Sequence, residues 1–278
     1  MNLHHIFGVL EKSDPEVYQR MDTRRKALQR FAGIGRSLSL TALPFALGSL
    51  FQKSYAGTRN ITDTPVEILN YALTLEYLES EFYKAGIAVG AALVPAGAPT
   101  NAIGTISAHE TAHVAFLTAA IKAAGGTPAN KPVFDFTAKG TFATVFTSYD
   151  TFLAVAQTFE DTGVRAYKGR AAELVKGGDL LTAALNIHSV EARHASHIRQ
   201  MRKANNFGDV KPWITLKTSG IGSAAVQASY DGEENTKQAN IEITNINSTS
   251  ISANAASEAF DEGLTKDQVL AIVKNFIV

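Results

Sequence analysis

Two stretches decide how this chain folds: Ile103-Gly-Thr-Ile-Ser-Ala-His-Glu-Thr-Ala-His-Val-Ala-Phe-Leu117 and Ala184-Leu-Asn-Ile-His-Ser-Val-Glu-Ala-Arg-His-Ala-Ser-His-Ile198. Aligned, they carry apolar residues, a glutamate and a histidine at identical offsets: Ile103, Ile106, Glu110, His113 and Leu117 against Ala184, Ile187, Glu191, His194 and Ile198. Positions three and four apart share one face of a helix, so each Glu-x-x-His projects a carboxylate and an imidazole from an apolar stripe into an interior. One such motif is common on solvated helices. Two in phase with apolar stripes are not.

Working outward, the helices on either side show a second repeat. Leu69, Glu76 and Tyr83 are spaced by seven, as are Phe146, Leu153, Glu160, Tyr167 and Leu174. Seven residues are nearly two turns, so Glu76 and Glu160 also face the core. Each is followed seven residues later by Tyr-Lys, at Tyr83-Lys84 and Tyr167-Lys168, and the two helices read as copies of one unit. Glu79 lies only about 60° around the helix from Glu76. It therefore stays open as the first-helix ligand, or as an acceptor that orients a ligand histidine from behind. Glu81 points elsewhere. His188 and His197 stand one turn from the second motif and read as supporting or surface groups, whereas His109, about 100° from Glu110, falls off the core face. Tyr83 and Tyr167 read as core aromatics bonded through their hydroxyls, with a redox role kept open by their symmetric placement. Arg165 and Arg193 either offset carboxylate charge or make surface salt bridges.

Four buried carboxylates without compensation would cost several kcal/mol each even after relaxation. Two divalent cations cancel their charge. An oxygen-rich set with two imidazoles suits iron or manganese, with zinc a lesser candidate, and bridging glutamates can hold two ions close enough to act on one substrate oxygen unit.

The order Glu, Glu-x-x-His, Glu, Glu-x-x-His on four successive helices resembles the ferritin-like di-metal carboxylate superfamily. The likeness spans the bundle, and Ile68-Leu-Asn-Tyr-Ala-Leu-Thr-Leu-Glu-Tyr-Leu-Glu-Ser-Glu-Phe-Tyr83 looks particularly like its bacterial desiccation-related branch. The resemblance implies an all-α four-helix bundle with one long crossover. It also implies Glu76 and Glu160 as terminal ligands, Glu110 and Glu191 as bridges, and His113 and His194 as imidazole ligands. Two iron or manganese ions reacting with O2 or H2O2 in oxidative-stress defence is the leading expectation, as a peroxidase-, catalase- or oxidase-like oxidoreductase. Iron storage without turnover and a non-catalytic desiccation-related scaffold are the alternatives. The long segment after the fourth helix argues against a closed storage cage. The absence of cysteine leaves any peroxidase dependent on an external reductant, because the rubredoxin-type module of typical rubrerythrins cannot be built; catalase chemistry needs none.

Between Thr64 and about Asn205 the chain is rich in Ala, Leu, Glu and Lys, with Gly and Pro between the periodic segments. Helices are expected over 64–89, 101–124, 141–176 and 179–205, with the connection Gly125–Gly140 as the crossover and Lys176-Gly-Gly-Asp179 as a tight turn. The bundle domain is placed at 59–210 and an irregular extension at 211–278. Ile241–Ile246 reads as extended. Thr265 with Gln268 forms a capping box that opens a final helix over 265–277, apolar enough to dock on the bundle or on a partner subunit.

Lys+Arg and Asp+Glu both number 26, so nothing favours nucleic acid or a charged membrane surface. With no cysteine, disulfides, thiolate zinc and cysteine-bound iron–sulfur clusters are excluded. Residues 1–58 read as a leader. Arg24-Arg25, an uncharged run from Ser37 to Phe51 and Ser54-Tyr-Ala56 resemble a twin-arginine export signal, which implies a periplasmic or otherwise exported protein. Ala27 and Arg36 depart from that pattern, and an ordinary helix in a cytoplasmic protein is the alternative. The apolar run is too short to span a membrane. A homo-oligomer fits the class. The sequon at Asn247 is taken as chance.

Overall fold

The computed structural model of the chain describes residues 63–174, 178–246 and 249–278. The leader expected over 1–58 and Asn247 lie outside them.

Four long helices carry the fold: α1 (Pro65–Val89), α2 (Ala98–Ala123), α3 (Tyr149–Ala171) and α4 (Asp179–Ala204). Helix α1 starts where the sequence supplies a full capping box. The Thr64 side chain accepts from Glu67 N, the Glu67 side chain accepts from Thr64 N, and Pro65 sits where its missing N–H costs nothing. Helices α1 and α2 pack as one pair, α3 and α4 as another, and the pairs meet through α1 against α3 and α2 against α4. The crossover between α2 and α3 is pinned to α1 by Asn70, whose amide donates to Thr127 O (3.1 Å) and accepts from Ala129 N (2.6 Å).

The third helix begins later than its apolar spacing suggested. Residues 141–147 form a series of turns, and α3 starts only after Ser148, whose hydroxyl accepts from Thr151 N (3.3 Å). Phe142 and Val145 are nonetheless buried, so the periodic apolar residues reflect packing and not helix. Ala138, Lys139 and Gly140 all have φ between 48° and 89°, a left-handed run that α-helix cannot continue.

An aromatic group fills the end of the bundle away from the C-terminus of α3. Phe82 stacks on Phe152 at 4.8 Å and meets Phe159 edge-on at 5.1 Å and Phe136 at 5.4 Å. This packing demands Gly86, because a Cβ there would stand 2.4 Å from the Phe152 ring.

The segment after α4 folds onto α3. It contains a 3-10 turn at Ala224–Ser229, two small hairpins, the short helix α5 (Ala253–Ser257) and the final helix α6 (Lys266–Val273), continued as 3-10 over Lys274–Phe276. The hairpins pair β1 (Lys237–Gln238) with β2 (Ile241–Glu242) and β3 (Asn245–Ile246) with β4 (Thr249–Ser250), so the stretch expected to be extended is divided between them. The capping box of Thr265 and Gln268 forms as expected, and Val269, Ile272, Val273 and Phe276 join the main core. Gly169 is the crossing point: a Cβ there would lie 1.9 Å from Leu264 O. No helix among the described residues is long and apolar enough to cross a membrane.

Covered by α1, α4 and this segment, α3 is buried on every side from Phe152 to Tyr167. Its polar residues are therefore paired internally. Arg165 binds Glu233 (2.7 Å) and the carbonyls of Ser229, Asp231 and Glu262. Asp161 takes both Arg199 and the Tyr230 hydroxyl. Arg165 is thus neither a surface residue nor a partner of the core glutamates; Arg193 is exposed on α4.

Candidate metal centre

The heptad spacing and the two Glu-x-x-His motifs bring six side chains to one place in the bundle. Glu76 (α1), Glu110 (α2), Glu160 (α3) and Glu191 (α4) are completely buried, and His113 and His194 stand beside them, nearly so. His113 Nδ1 lies 3.1 Å from Glu76 Oε2 and 3.2 Å from both Glu110 Oε2 and Glu191 Oε1. His194 Nδ1 lies 2.8 Å from Glu110 Oε1, 3.3 Å from Glu160 Oε2 and 3.7 Å from Glu191 Oε2. Two groups that could each hold a metal ion result, Glu76, Glu110, His113, Glu191 and Glu110, Glu160, Glu191, His194, with one ligand atom per residue and all such atoms in a group within 4.8 Å of one another. Glu110 and Glu191 are common to both. Glu76 and Glu160 belong to one each.

The donor atoms fit a pair of cations better than they fit each other. Glu110 Oε1, Glu160 Oε2, both Glu191 oxygens and His194 Nδ1 are buried without a well-directed hydrogen bond, although His194 Nδ1 lies 2.8 Å from Glu110 Oε1. Buried polar atoms are almost always satisfied, so orphans converging on two points mark places that could hold ions. The outer oxygens are satisfied, and crosswise. Tyr83 on α1 donates to Glu160 Oε1 on α3 at 2.5 Å, and Tyr167 on α3 donates to Glu76 Oε1 on α1. Each tyrosine fixes a glutamate so that its second oxygen points inward.

Protons stand in for the cations. Burial and then the neighbouring carboxylates push Glu76 well above the usual carboxylate range; burial does the same to Glu160, partly opposed by His194. Burial acts to lower the two histidines, but the surrounding glutamates outweigh it and raise both to about 12. Burial likewise acts to raise Glu110, and the adjacent His113 and His194 bring it down to about 2. In the metal-free chain bound protons thus offset the carboxylate charge, and metal ions would displace them.

The remaining expectations resolve by position. Glu79 is buried but contributes no oxygen to either group of converging atoms, and among the described residues neither ligand-set histidine is bonded to it. Its carboxylate lies beside Gly163, and burial with Glu191 and Glu160 nearby raises it well above the usual range. His197 is exposed on α4 and does not reach the centre. His188 is tied by Nδ1 to Val164 O at 3.0 Å, a link between α4 and α3. His109 is exposed on α2, off the core face as helical phase places it, yet it has a partner that phase does not reveal. Its Nδ1 sits 3.0 Å from His194 Nε2 with the two rings 15° from parallel, so it backs the imidazole whose other nitrogen faces the carboxylates. Angle on its own helix could not reveal this, because α4 comes to meet it.

A family model for the ferritin-like domain matches residues 64–204, about half of the chain and all four bundle helices. Comparisons with curated proteins and with solved structures found no match. With the four helices, the buried Glu/His cluster and this match in agreement, the chain belongs to the ferritin-like domain family.

Proposed function

We propose that the protein holds two iron or manganese ions between Glu76, Glu110, His113, Glu160, Glu191 and His194 and acts on O2 or H2O2 in defence against oxidative damage. The observation that carries this reading is the set of orphaned donor atoms converging on two adjacent points. Glu110 and Glu191 would bridge, Glu76 with His113 would complete one ion's shell, and Glu160 with His194 the other. Bound iron or manganese supplies one-electron chemistry and open positions for a small oxidant, which side chains alone lack.

The chain's own residues define the conditions for that chemistry. Tyr83 and Tyr167 hold the terminal carboxylates in fixed orientation and stand ready to give a proton or hydrogen bond at Glu160 Oε1 and Glu76 Oε1. His109 accepts from, or donates to, His194 Nε2 and so selects which imidazole nitrogen is free to bind. Phe159 and Leu75 lie in the apolar packing about the site and exclude bulk water. The charges also balance: two divalent cations match the four ligand carboxylates, while Glu79, pushed upward, favours its neutral acid.

Metal per chain, measured by mass spectrometry on protein from its native compartment and on a Glu110→Ala/Glu191→Ala variant, tests the reading. About two iron or manganese ions per chain in the parent and none in the variant are expected. A folded parent without metal would overturn it.

A further inference from the structure

The four ligand carboxylates have no exposure to solvent, so any reactant needs a way in. Two cavities lie in succession on the side covered by the final helix. The outer one has a volume of about 340 Å3, with exposed Thr141, Ala225 and Asn275 at its rim and buried Thr158 and Ser229 at its floor. The inner one, about 10 Å3, is lined only by buried residues, among them Leu78, Phe159, Glu79 and Gly163. Ile272 and Phe276 wall both.

The inner cavity ends where α3 lacks a side chain. A Cβ on Gly163 would stand 3.0 Å from Glu79 Oε1 and 3.7 Å from Glu191 Oε2, so at this position no side chain stands between the cavity and Glu191. Gly in the middle of a helix costs about 1 kcal/mol relative to Ala. Here the glycine keeps open the last step of a line that runs from the outer cavity, past Ile272 and Phe276, into the inner chamber, and between Glu79 and Gly163 to Glu191.

We propose that this line is the route by which small neutral molecules reach the metal centre, with Ile272 and Phe276 as its gate and the inner chamber as its size filter. The proposal rests on the metal reading above and narrows its substrate. A chamber of about 10 Å3 is at the lower limit for one water, so passage requires its walls to move, and it favours dioxygen or hydrogen peroxide over bulkier organic hydroperoxides. Clustered carboxylates at the inner end disfavour anions. Of the two polar side chains at the filter, Thr162 is already bonded to Thr158 and Ser229, and the buried Glu79 carboxyl offers a hydrogen bond to a passing peroxide.

The test uses the full chain loaded with ferrous iron and two neutral probes that bind ferrous iron, nitric oxide and nitrosobenzene, followed by stopped-flow absorbance. Iron content and melting temperature are measured on every variant. In the parent, nitric oxide should bind fast and nitrosobenzene slowly or not at all. Ile272→Trp should slow nitric oxide by about tenfold or more, and Ile272→Ala and Phe276→Ala should speed nitrosobenzene by about as much, with iron content unchanged. The opening variants keep the test alive where the tryptophan does not fold. Iron bound in all variants with neither rate moved overturns the route and leaves the metal reading standing. A parent that binds no iron overturns both.

Discussion

The two halves of the bundle, α1 with α2 and α3 with α4, present the same chemistry inward and different chemistry outward. Inward, each supplies a glutamate, a tyrosine seven residues later and a Glu-x-x-His. Outward, α1 carries a solvent-exposed pair, Lys84 with Glu81, whereas α3 carries the buried Arg165–Glu233 pair under the C-terminal segment. The imidazoles differ too: His194 is backed by His109, and the position of α4 equivalent to His109 is Val190. The internal repeat is thus confined to the faces that meet, and the halves differ in what covers them and in what backs their imidazoles.

That contrast can be broken in four places, in falling order of expected effect. If the halves are equal at the centre, Glu76→Ala and Glu160→Ala should each lose one of two bound ions, read as metal per chain; loss of both from one variant and none from the other would make the halves unequal. Outside the centre they should be unequal. Arg165→Ala leaves Glu233 buried without a counter-charge and should cost about 3–5 kcal/mol in denaturant unfolding, against about 0–1 kcal/mol for Lys84→Ala. Equal costs would show that the C-terminal segment adds nothing to α3. His109→Ala should weaken one ion about 10- to 100-fold and leave the other unchanged, seen as two separate steps in a metal titration where the parent shows them closer together.

The smallest effect is a pH dependence that both halves share. In the metal-free protein His113 and His194 are raised from 6.5 to about 12, so the stability they contribute is fully present below pH 6.5 and falls as pH rises from there towards 12. Glu76 and Glu160, also raised, act with the same sign from 4.5 upward. Melting temperature should therefore drop by several degrees between pH 6 and 9 without metal, and by less with metal, which replaces those protons. A metal-free protein that is steadier at pH 9 than at pH 6 would contradict this.

The six residues of the centre were legible because a helix converts spacing into direction. Glu76, Glu110, His113, Glu160, Glu191 and His194 needed only the periods of seven and of three to be placed on inward faces. What those periods cannot carry is who comes to meet a residue. His109 is off the inward face of its own helix and still touches His194, and Arg165 looks like a surface charge until Glu233, far along the chain, is laid over it. One signal was present: Gly163 and Gly169 interrupt α3 without breaking it, and glycines kept inside a helix mark places where something approaches closely. The start of α3 was misplaced for a related reason. Phe142, Val145 and Phe146 recur at helical intervals because they pack, while the left-handed run at 138–140 and the Ser148 cap decide where the helix begins.

The crosswise tyrosines carry one more consequence. Tyr83 completes the glutamate of α3 and Tyr167 completes the glutamate of α1, so neither helical hairpin contains a finished half-site. Reciprocal reach, in which residue i of one unit touches j of the other and j touches i, is the signature of an isologous dimer about a twofold axis. This chain has that reciprocity written within a single polypeptide, with Glu110 and Glu191 common to both groups of converging atoms. Separate α1–α2 and α3–α4 fragments would have to exchange phenols before either could orient its carboxylate, which makes association and site assembly one event.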